Sequence, residues 1–164
     1  MRRHIQVFLL AVAFDLYWAL VVLFREQGLI IWIALAILAI LACLLLPPVY
    51  RFYAIGLAAA GSLLDTLWAL TGLIAFTSDS LMPLWMVALW LMFATVWTQL
   101  TRTTTLPGWL LTLLAAVGGP VAYLIGERLG AITFLEPTFI VVSWMAPGWL
   151  VLMLFFHLLM GRQK

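Results

Sequence analysis

Residues 29 to 46 read LIIWIALAILAILACLLL, eighteen positions without a charged side chain. As a helix rising 1.5 Å per residue the stretch reaches roughly 27 Å, close to the ~30 Å hydrocarbon core of a bilayer. The apolarity is continuous, without the in-and-out alternation of a barrel strand, and in lipid every backbone N–H and C=O must be paired internally. The stretch therefore predicts a membrane helix, and the rest of the chain repeats the pattern. Of the 164 residues 67% are hydrophobic and 9% are charged, against about 45–50% and 25% in soluble domains.

Breaks in the apolar pattern place spans at about residues 5–24, 29–46, 54–76, 81–101, 106–126 and 139–160. REQG, PPVYRFY, TSDS and RTTT punctuate the first four, and Pro83, Pro107 and Pro137 fall where spans four to six open, a position that tolerates a missing N–H. The expected fold is all-α: a polytopic membrane helix bundle of six transmembrane helices, with residues 1–164 forming a single integral membrane domain. Arg2, Arg3 and IQVFLLAVA, with alanines at 11 and 13, resemble a signal peptide, but the run continues through FDLYWALVVLF, as in a retained first span.

Six spans put both termini on one side. Arg2, Arg3, Arg51, Arg102, Arg162 and Lys164 share that side, whereas Arg25 and Arg128 lie opposite, each beside an acid, Glu26 or Glu127. The positive-inside rule then makes the termini cytoplasmic. The scattered basic residues form no stripe for nucleic acid.

Two acids interrupt this apolar sequence. DLYWAL at 15–20 and DTLWAL at 65–70 share four of six residues at a separation of fifty, which suggests a parallel repeat of helical hairpins. An aspartate at a helix centre costs roughly 2.5–3.5 kcal/mol on insertion scales, so Asp15 and Asp65 are expected to face the interior, be protonated or hold a partner. Trp18 and Trp68, three residues beyond, share the acid's helix face and offer an indole N–H. Around Asp65 the face reads Ala54, Ala58, Gly61, Asp65, Trp68, Gly72, a small-residue seam that admits another helix closely. Around Asp15 it reads His4, Phe8, Ala11, Asp15, Trp18, Val22, Arg25, which is bulkier. Each acid has two readings, a ligand contact or proton carrier and a packing hydrogen bond; the second suits Asp15 better.

The fifth span contains Gly118, Gly119 and Pro120, which predict a kink or interruption that frees the carbonyl of Ala116. Such breaks line transporter sites; the alternative is a kinked helix packed through Ala115, Gly119, Ala122 and Gly126. Tyr123 adds a hydroxyl one turn later. Thr95, Thr98 and Gln99 in the fourth span, and Ser143, Pro147 and His157 in the sixth, are weaker polar marks. Trp85, Trp109, Trp144 and Trp149 are expected as interfacial anchors, with Trp90 and Trp97 deeper. His4 and His157 without acids or thiols nearby do not make a metal site, and the single Cys43 reads as a small buried hydrophobe. No P-loop, dinucleotide fingerprint, HExxH or GxSxG motif is present, so no catalytic residue, metal or cofactor is assigned.

LLDTLWALTGLIAF, MPLWMVALWLMFAT and LLAAVGGPVAYLIGERLGAITF together resemble a family of small, uncharacterised bacterial inner-membrane proteins known as a domain of unknown function. The similarity covers about residues 54–136, through PxW, LWxxFAT and GGPxxYxxGxxLGA. It rests on Asp65, Pro83, Trp85, Trp90, Phe93, Thr95, Gly118, Gly119, Pro120, Tyr123, Gly126 and Gly130. The resemblance implies a bacterial inner-membrane helical protein and, because members often neighbour enzymes that modify membrane fatty acids, a lipid-related role. It also implies an amide-like residue where Asp15 stands, which leaves Asp65 as the stronger site candidate.

The leading expectation is noncatalytic binding of a lipid or lipophilic small molecule at Asp65, Trp68, Asp15, Trp18, Trp90, Thr95, Gly118, Gly119, Pro120 and Tyr123, accessory to membrane-lipid modification. The alternatives are a small proton-coupled transporter acting as an oligomer and an intramembrane lipid-modifying enzyme or subunit. Expected partners are membrane lipids, a second copy of the chain or a membrane enzyme.

Overall fold

The computed structural model describes residues 2–25, 27–78 and 80–161. Glu26, Arg162 and Lys164, which entered the charge distribution, lie outside the described residues. The fold is all-α, with helices α1 (Arg2–Phe24), α2 (Leu29–Leu44), α3 (Pro48–Leu70), α4 (Leu84–Thr103), α5 (Gly108–Arg128) and α6 (Thr138–Gly161). Two short strands, β1 (Ile74–Phe76) and β2 (Ile132–Phe134), follow α3 and α5. Among the described residues five helices are long and apolar enough to cross a membrane, so the protein is a multi-pass membrane protein. The sixth, α2, has 16 residues and reaches only about 24 Å. The stretch that reads most plainly as a span is thus the shortest helix, because Leu45 closes it and Pro47 and Pro48 redirect the chain.

The third span is displaced from its expected place. It begins at Pro48, whose missing N–H suits a first helical position, and ends at Leu70, not at residue 76. Gly72 stops it: with φ of 73° it takes the left-handed conformation that glycine adopts without a Cβ clash. Leu73 N–H then donates to Trp68 O at 2.9 Å and Gly72 N–H to Ala69 O at 3.2 Å, the paired bonds of a Schellman motif. The end of α5 repeats this construction. Gly130 has φ of 70°, Ala131 N–H donates to Gly126 O and Gly130 N–H to Glu127 O, both at 2.9 Å.

The chain divides into two compact units. The first comprises residues up to Ala59 with Leu84–Thr105. In it α4 packs on α1 and α2, burying Tyr17, Val21, Leu35, Ala39, Trp85 and Trp90. Tyr17 satisfies its buried hydroxyl by donating to the Leu35 carbonyl at 3.0 Å. Arg51 Nε and Nη2 donate to the Leu46 and Leu44 carbonyls at 2.7 and 2.6 Å, supplying the carbonyl partners missing at the end of α2. The Arg102 guanidinium lies 5.3 Å from the Tyr50 ring centroid, a cation–π distance.

The second unit comprises Ala60–Pro83 and the chain from Leu106 onward. Here α5 and α6 form an extensive helix pair, and β1 and β2 form an antiparallel ribbon with Ile74 opposite Phe134, Ala75 opposite Thr133 and Phe76 opposite Ile132. The strands carry one pattern, Gly72-Leu-Ile-Ala-Phe76 and Gly130-Ala-Ile-Thr-Phe134, at a separation of 58. That separation carries each ribbon residue onto its equivalent, so a local two-fold passes between Ala75 and Thr133 and relates β1 to β2.

Candidate functional site

Asp65 is wholly buried in the second unit, with 0% exposure. The Tyr123 phenol of α5 donates a hydrogen bond to its Oδ1. The expected donor was the Trp68 indole; instead Trp68 packs edge-on against the Tyr123 ring, with centroids 5.9 Å apart and planes at 89°. The reason is positional. Asp65 and Tyr123 each stand seven residues before the glycine that ends their helix, and they are 58 residues apart, so they hold equivalent places ahead of the two strands.

Two glycines on the neighbouring helices build the walls. At Gly119, one turn before Tyr123, an added Cβ would fall inside the Trp149 indole, so that ring lies directly on the α5 backbone. At Gly148 an added Cβ would come within 2.8 Å of Trp68 Cζ2, closer than side-chain contacts permit. Adjacent residues of α6 thus receive Trp68 from α3 and place Trp149 on α5. Each ring is held by the absence of a side chain opposite.

A second polar link joins α5 to α6. Thr112 Oγ1 lies 2.7 Å from His157 Nδ1, both groups being buried. Thr112 and Tyr123 are eleven residues apart, three helical turns, and with Ala115, Ala116, Gly119, Pro120 and Gly126 they make the buried face of α5. This face runs unbroken through Pro120, so the expected interruption does not form. Proline removes one N–H but accepts helical φ, and burial of Ala116 and Pro120 supports the turn where the bond is missing. Gly118 turns away from the site: it is exposed, and a Cβ there would meet nothing within 4 Å.

The site residues expected from sequence divide between the two units. Asp65, Trp68, Gly119, Pro120 and Tyr123 lie in the second, and all are buried. Asp15, Trp18, Trp90 and Thr95 belong to the first. Asp15, for which an inward position was one of the three expectations, is exposed on α1, because the inward face of that helix is taken by Tyr17, Val21 and Val22. Trp18 is half-buried. Trp90 is buried edge-on to Phe93, whose ring also stacks on Trp97 at 5.3 Å. The Thr95 and Thr98 hydroxyls are buried and have no hydrogen-bond partner among the described residues. Of the expected interfacial anchors, Trp109 and Trp144 are exposed, whereas Trp85 and Trp149 are core residues. Thr112 and Gly148 carried no mark in the sequence and Trp149 read as an anchor; the repeated G-x-I-x-F was the available signal, since it pairs the strands that follow α3 and α5.

Chemically the arrangement is an acid and a phenol sharing a hydrogen bond inside aromatic walls. The pair can hold or pass a proton, or exchange its internal bond for one to a polar group of a guest. No curated protein and no solved structure matches the chain. Comparison with protein families matches residues 7–155 to one described as protein of unknown function (DUF2878), and over that length the chain belongs to this family.

Proposed function

We propose that the protein is a noncatalytic binding protein of the bacterial inner membrane, which takes the polar end of a lipid or other lipophilic molecule at Asp65 and serves membrane-lipid modification. The observation that carries this reading is a wholly buried carboxyl that accepts a hydrogen bond from a phenol, whose ring packs edge-on against the Trp68 indole. Small-molecule sites have that composition, and ionisable groups at membrane depth are expensive to keep without a use. The termini are assigned to the cytoplasm on the distribution of Arg2, Arg3, Arg51, Arg102, Arg162 and Lys164.

The test is native mass spectrometry of protein released from nanodiscs, comparing wild type with Asp65→Asn at matched folding. A defined extra mass on wild type that is absent from the variant is the expected result. No bound mass on either, with the variant less stable, would make Asp65 a packing element and end the proposal. A second reading, proton-coupled transport by an oligomer, is favoured by the complete burial of Asp65 against another titratable group. It requires proton flux in proteoliposomes on substrate addition, abolished by Asp65→Asn.

A further inference from the structure

Asp15 presents a problem that the chain alone does not solve. It stands at the middle of the apolar segment Ile5–Phe24, it is exposed, and it makes no hydrogen bond or ion pair among the described residues. A carboxyl at that depth, even protonated, needs a partner. Ala11 and Ala19 stand one turn before and one turn after it, giving Ala11-xxx-Asp15-xxx-Ala19, a line of small residues along which another helix can approach closely. Ala11 is exposed and Ala19 half-buried, so the line runs along the edge of the covered face of α1.

We infer that α1 pairs with α1 of a second copy of this chain, the two Asp15 carboxyls hydrogen-bonding to each other across a two-fold axis. Three observations select this occupant. Two copies inserted in the same sense place Asp15 at the same depth, so each acid meets its equivalent by symmetry. A protonated carboxyl is self-complementary: each donates one O–H and accepts one in return. A basic partner from the second copy is excluded by position, since Arg2, Arg3, Arg25, Arg51, Arg102, Arg128, Arg162 and Lys164 all fall at span ends. The inference is independent of the function proposed for Asp65.

The experiment is subunit counting by single-molecule photobleaching in liposomes, on wild type, Asp15→Asn and Asp15→Leu. Wild type is expected as a dimer. Asparagine, which also donates and accepts, keeps it, and leucine weakens it by on the order of tenfold. In a Cys43→Ser background, Ala19→Cys on the line is expected to form a disulfide-linked dimer on oxidation, whereas Leu20→Cys, roughly 100° further round the helix, does not. A monomeric wild type, an undiminished dimer in Asp15→Leu, or preferential cross-linking at residue 20 would overturn the inference. So would loss of the dimer in both Asp15 variants, which would identify a cationic partner in place of a paired acid.

Discussion

Asp15 opens DLYWAL and Asp65 opens DTLWAL, yet one carboxyl is exposed on α1 while the other has no exposure at all. What separates them is what each helix meets. α1 turns Tyr17 inward to donate to Leu35, and the acid two residues earlier is carried outward. In the second hexapeptide the equivalent of Tyr17 is Leu67, which is 55% exposed, and the inward place falls to Asp65. A short repeat of sequence thus conveys no repeat of environment. The tyrosine that matters to Asp65 is 58 residues away on α5.

The sharpest way to break this contrast lies on α5 itself. Gly119→Leu drives a side chain into Trp149 and is expected to cost about 3 kcal/mol, read as resistance to denaturant in mixed micelles. Gly118→Leu, facing open space, should stay within about 0.5 kcal/mol of wild type, and equal costs would remove the glycine seat from the description. Next in size is Asp65→Leu, which strands the Tyr123 hydroxyl in the core and is expected to cost roughly 1–3 kcal/mol. Asp15→Leu, measured below the concentration at which copies associate, should leave monomer stability within about 0.5 kcal/mol. Comparable losses at both positions would show that Asp15 is internal after all.

Smaller effects refine the picture. Tyr123→Phe removes the donor to Asp65 and is expected to cost about 1 kcal/mol. A double-mutant cycle with Asp65→Asn should return a coupling near 0.6 and no more than about 1.7 kcal/mol, the range for hydrogen bonds between membrane helices. Zero coupling would mean that the two groups do not act on each other. Thr112→Val, which deletes the partner of His157, should cost roughly 0.5–1 kcal/mol. The same change should alter the imidazole nitrogen chemical shifts of His157, and unaltered shifts would place the ring elsewhere.

Much of the fold was legible because lipid leaves the backbone few options. Continuous apolarity revealed the six helices, with the third placed some six residues late, and the prolines at 83, 107 and 137 marked the openings of the last three. The ribbon was not legible: LIAF and AITF are too short and too apolar to separate from the ends of spans, and pairing between residues so far apart has no local signature. For Asp65 the seam of Ala58, Gly61 and Trp68 foretold burial correctly, since small residues beside an acid indicate close approach by a neighbour. The identity of its partner was hidden, because Tyr123 reaches it only through the register that Gly72 and Gly130 impose. Of the two readings of the Gly-Gly-Pro stretch, the helix packed through Ala115, Gly119 and Gly126 is the one that forms, and the interruption does not. Glycine here makes room for an indole instead of loosening the helix, a distinction that depends on Trp149 thirty residues later.

The local two-fold also bears on stoichiometry. A site away from such an axis would occur twice, once in each half of the repeat. Asp65 and Tyr123 hold equivalent places ahead of the two strands and bond to each other, so the second unit makes this pair only once, one half contributing the acid and the other the phenol.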